Sequence, residues 1–71
     1  MRYLVVIEQT NTGFSAYSPD VPGCVTTGAT QEETAKNMEE AISFHLEGLK
    51  LEGEPLPQPS STSTYIETAI A

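Results

Sequence analysis

The chain has 71 residues, with ten Asp or Glu against three Lys or Arg, and so a formal net charge of -7. That length holds one domain, residues 1–71, whose core buries only about 60% of the surface the unfolded chain exposes. An acidic chain with no clustered Lys and Arg repels phosphate, which excludes the usual nucleic-acid-binding surface.

Cys24 stands alone, so the chain has neither an internal disulfide framework nor a cysteine-based metal cluster, as suits a reducing compartment. No apolar run approaches the roughly 18 residues that span a bilayer. The expectation is a cytoplasmic protein that does not enter a membrane.

Residues 2–9 are rich in β-branched and aromatic side chains and too short for a typical helix, which predicts a first strand. Thr10-Asn11-Thr12-Gly13 supplies a turn, and residues 14–18 alternate as a second strand. Pro22 and Gly23 fit the two central positions of a type II turn, the proline by its fixed φ and the glycine by tolerating a positive one. A short third strand follows over residues 24–27, closed by Gly28, with Cys24 and Thr26 on one face and Val25 and Thr27 on the other.

Thr30 and Glu33 have capping-box spacing and predict a helix start. Ala35, Met38, Ala41, Ile42, Leu46 and Leu49 recur every three or four residues and form the expected buried stripe of one amphipathic helix, ending near Gly53. Pro55, Pro57 and Pro59 favour an extended connection. Tyr65, Ile66 and Ile70, among Ser and Thr, predict a fourth strand over residues 64–70.

These elements compose an α+β fold, β-β-β-α-β. A right-handed crossover sets the fourth strand beside the first, giving a mixed four-stranded sheet of order 3-2-1-4 with one helix on one face. Strand one is apolar at odd positions (Tyr3, Val5, Ile7) and at even ones (Leu4, Val6), as though both faces were covered. One helix covers one face only. The face of Tyr3, Val5 and Ile7 is therefore a candidate surface for a second copy of the chain, as a homodimer or higher oligomer, or for a different partner.

Catalysis finds no support in the residues. Glu8 and Asp20 are an incomplete carboxylate set for metal-dependent hydrolysis, so neither catalytic nor metal-ligating residues nor a cofactor are assigned. Cys24 has no positive neighbours to activate a thiolate and reads as a packed side chain. His45 sits at the margin of the apolar stripe without a partner. Asp20 has three readings, a turn bond to nearby backbone, a contact with a partner and the relic of an ancestral carboxylate site. Glu32, Glu33, Glu39 and Glu40 likewise divide between favouring the helix dipole and facing a partner. Phe44 and Leu51 fall partly off the stripe and either widen the buried face, the default reading, or support an interface.

The runs Ser18-Pro19-Asp20-Val21-Pro22-Gly23-Cys24, Gly28-Ala29-Thr30-Gln31-Glu32-Glu33, Asn37-Met38-Glu39-Glu40-Ala41-Ile42 and Gly53-Glu54-Pro55-Leu56-Pro57-Gln58-Pro59 together resemble the HicB-type antitoxin domain across nearly the whole chain. Pro22, Gly23, Cys24, Gly28 and Thr30 carry the motif's turn and cap positions. The resemblance implies a degraded ribonuclease-H-like fold without nuclease activity. It also implies a role in masking HicA, a small basic ribonuclease, with Asp20 and the four glutamates as candidate contacts. An alternative is a stand-alone oligomeric scaffold or regulatory module with no toxin partner. Only a short tail, ending in residues 65–71, follows the proline stretch, where many family members carry a DNA-binding segment, so binding to operator DNA is not expected.

Overall fold

The computed structural model describes residues 1–70. Strands β1 (Val6–Gln9), β2 (Phe14–Tyr17) and β3 (Val25–Gly28) precede a single helix, α1 (Gln31–Leu51). The strands form an antiparallel meander in the order β1-β2-β3, with Ile7 opposite Ala16 and Ala16 opposite Thr26.

Local chemistry sets the turns and the helix ends. The Cys24 amide donates to the Val21 carbonyl at 3.3 Å, and Gly23 has φ of 86°, the type II geometry expected from Pro22-Gly23. At the helix start the Glu33 amide donates to Thr30 Oγ1 at 3.0 Å, while Glu33 Oε1 accepts from the amide of Ala29, one residue before the cap, at 3.3 Å. The capping box thus closes one residue earlier than its usual form. At the other end the Gly53 amide reaches the Lys50 carbonyl and the Glu54 amide the Leu49 carbonyl, with Gly53 at φ of 72°. This is the double bond of a Schellman motif, and it needs a residue that tolerates a positive φ.

The core lies between the sheet and α1 and comprises Ala16, Val21, Cys24, Met38 and Ile42, with Tyr3, Val5, Ile7 and Leu46 packed around it. Thr34 is also fully buried, its hydroxyl donating to the Thr30 carbonyl at 2.7 Å. Ala35, expected in the buried stripe, is exposed. The first turn of α1 rests on Gly28, where the close strand admits the hydrogen-bonded Thr34 and turns Ala35 outward.

Two expectations are corrected. Tyr3, Val5 and Ile7 face α1 and not the uncovered side; pairing of Ile7 with buried Ala16 fixes that register. The uncovered face carries the next row, Val6, Tyr17 and Val25. The second correction concerns the fourth strand. The crossover does return to strand one: the Tyr3 hydroxyl donates to the Pro57 carbonyl at 2.6 Å, and residues 61–63 lie beside residues 2–5. Yet residues 64–70 form no strand, so the sheet has three strands among the described residues and not the order 3-2-1-4. Propensity alone does not make a strand without a partner for its backbone groups. Among the described residues no helix is long and apolar enough to cross a membrane.

Candidate partner-binding surface

Helical periodicity sorts the acidic residues of α1 onto two surfaces. Glu33, Glu40 and Glu47 are seven apart and lie opposite the buried line of Thr34, Met38 and Ile42. Glu32 and Glu39 fall about a quarter-turn closer to β1, where Glu39 borders a depression with Tyr3, Val5 and Leu46. The four candidate glutamates are therefore not one cluster. All are exposed, and the Glu33 carboxylate is also used in the helix cap.

Phe44 and Leu51 stand on the outward surface with Glu40 and Glu47, in the spacing i, i+4, i+7, i+11. They are 80% and 89% exposed, so they do not widen the buried face as the sequence suggested. Phe44 also borders a shallow groove between α1 and β3, with Val25, Ala41, His45, Gly48 and Leu49. Gly48 leaves its floor open, since a Cβ there meets nothing within 4 Å. The result is an apolar strip edged with carboxylates. The signal available in the sequence was the seven-residue spacing of two large apolar residues among glutamates.

Asp20 does not bond to the neighbouring turn backbone but reaches forty residues along the chain. Its Oδ2 accepts from the Ser60 and Ser61 amides, both at 2.9 Å, and its Oδ1 from their hydroxyls at 3.2 and 2.8 Å. These bonds, led by that from the Ser61 amide, lower its pKa from 3.8 to about 2. The carboxylate ties the Pro22-Gly23 loop to the chain beyond the prolines, a contact across forty residues that local sequence does not reveal.

Cys24 is buried, with its thiol 3.9 Å from the Ala41 carbonyl, and burial raises its pKa. This is a packed thiol and a poor nucleophile at neutral pH. His45 is half-buried in the wall of the groove. Among the described residues no group of three or more His, Cys, Asp or Glu converges as a metal site.

The outer surface of α1 thus holds exposed apolar side chains beside carboxylates, with Lys50 next to Leu51 at its end. The family described as HicB_like antitoxin of bacterial toxin-antitoxin system matches residues 3–69. This chain belongs to the HicB-like antitoxin family.

An uncharacterised 14.9 kDa protein from the rep-hol intergenic region of Haemophilus phage HP1 is 44% identical over 66 residues, covering 93% of this chain and 50% of the relative. Among solved structures, a chain of a HicA3 and HicB3 toxin-antitoxin complex superposes with a TM-score of 0.71 at 43% identity, covering 84% of this chain and 70% of that one. The crystal structure of the antitoxin HicB3 superposes with a TM-score of 0.70 at 43% identity, over 84% of this chain and 44% of that one. The chain therefore spans about half the length of the phage relative and less than half of the HicB3 chain.

Proposed function

We propose that this HicB-like chain is an antitoxin that acts by binding a HicA-type toxin and covering its RNA-binding face, without catalysis of its own. The observation that carries the reading is the exposed strip of α1, where Phe44 and Leu51 stand among Glu40 and Glu47. Burial of the two apolar side chains supplies affinity, and the carboxylates select a basic partner and speed its approach. Glu32, Glu33 and Glu39 extend the negative field along the helix, while Asp20 serves the surface indirectly by holding the loop beside it. A ribonuclease that grips phosphates presents the complementary charge. The likeness to a HicB3 chain solved with HicA3 supports the same pairing. The chain also self-associates on this reading, since a core of this size gains stability from a second copy.

The test is calorimetric titration of the chain against a HicA-type toxin at rising salt. Binding weakens as salt rises, and the double substitution Phe44→Ala, Leu51→Ala weakens it at least about tenfold, or about 1.4 kcal/mol, with the fold intact. Salt-independent binding, or full affinity in that double variant, places the interface elsewhere.

A further inference from the structure

Residues 64–70 are exposed throughout, with Ile66 and Ile70 at 77% and 86% and Tyr65 wholly exposed. Their composition favours a strand, and they have none of their own to join. The chain's radius of gyration is 14.3 Å, against about 11 Å for a compact chain of this length. Its longest dimension is 50 Å, although α1 accounts for only about 32 Å at 1.5 Å per residue. The segment stands away from the body as an arm. Its root is fixed, because Asp20 holds Ser60 and Ser61 and places residues 61–63 beside residues 2–5.

The sheet has a matching vacancy. Among the described residues β1 is an edge strand that pairs only with β2, so alternate backbone groups face outward without a strand partner. The opposite edge is partly used within the chain, where Asn37 Nδ2 donates to the Thr27 carbonyl at 3.0 Å.

We propose that the arm of each chain pairs as a fourth strand with the β1 edge of a second copy, forming a two-fold, strand-exchanged dimer. The arm has no strand of its own to join and no strand lies on the β1 edge among the described residues, so reciprocal exchange satisfies both. A different protein on the edge would leave the arm bare. Charge separates the occupants as well. α1 carries five acidic residues against Lys36 and Lys50, a net negative charge that disfavours a second copy there; residues 2–9 carry Arg2 against Glu8, and the arm has only Glu67. Nine residues, 62–70, reach about 30 Å when extended, enough to cross to a neighbouring sheet. Each sheet then has the order β3-β2-β1-arm, with the arm from the other chain.

The inference rests on self-association and names its interface. Light scattering with size exclusion at micromolar concentration is expected to give twice the 7.7 kDa chain mass. The Ile66→Glu, Ile70→Glu double variant and a chain lacking residues 64–71 are both expected to run as monomers with unchanged helical circular dichroism. Hydrogen exchange at Val6–Gln9 then slows in the dimer and quickens on dilution. A monomeric parent chain overturns both the exchange and self-association. A dimer that survives both variants overturns the exchange alone, as does protection of β1 that ignores concentration, since the arm would then lie on its own edge.

Discussion

Gly28 has no room for a methyl group. A Cβ there would lie 2.5 Å from Thr34 Oγ1 and 2.9 Å from the Thr34 nitrogen, and the latter is backbone that moves only with the helix. Gly28→Ala is therefore expected to cost about 2 kcal/mol, within the usual range for overpacking. In a domain of this size that lowers Tm by about 8–16 °C, measurable by thermal denaturation. Asp20 gives a pH signature. Its folded pKa of about 2 lies below the ordinary 3.8, so the clamp on Ser60 and Ser61 stabilises the fold above about pH 4 and is lost as pH falls toward 2. Titration of its side-chain carbon by NMR is expected to show a midpoint near 2, and Asp20→Asn removes that part of the acid dependence. A midpoint near 3.8 means the clamp is not formed. The buried Cys24 thiol is expected to react with a thiol reagent at neutral pH far more slowly than the same chain in denaturant.

At the scale of elements, signals within a few residues were legible. Thr30, Gly53 and the recurrence of Met38, Ile42 and Leu46 set the extent of α1, and Pro22-Gly23 set the turn before β3, because caps and turns are bonds between near neighbours. Thr30→Ala is accordingly expected to cost about 1 kcal/mol in chemical denaturation. The face of β1 was not legible. Its odd and even positions are equally apolar, and only pairing with β2 decides that Val5 and Ile7 meet the helix. Residues 64–70 have the composition of a strand, but a strand exists only where another accepts its hydrogen bonds. The partners of Asp20 were hidden for the same reason: forty residues separate them. Of the candidate contacts, the glutamates were legible as charges and Phe44 was misplaced, because a helical wheel gives angle without showing which neighbours arrive to cover it.

Across the whole molecule, apolar burial and charge are separated. The core is small and closed between sheet and helix, while the outer helix surface combines Phe44 and Leu51 with Glu40 and Glu47. Exposed apolar groups of this kind contribute little to folding, so Phe44→Ala is expected to change stability by less than about 0.5 kcal/mol while weakening partner binding. That divergence distinguishes an interface from a core extension. The net charge of -7 gives the same division at long range, favouring the approach of basic molecules over that of RNA. The most direct measurement is RNA cleavage by a HicA-type toxin titrated with this chain. Cleavage is expected to stop at a stoichiometric ratio and to resume with the Phe44→Ala, Leu51→Ala chain at the same concentration; undiminished cleavage in excess of the unsubstituted chain contradicts a masking role.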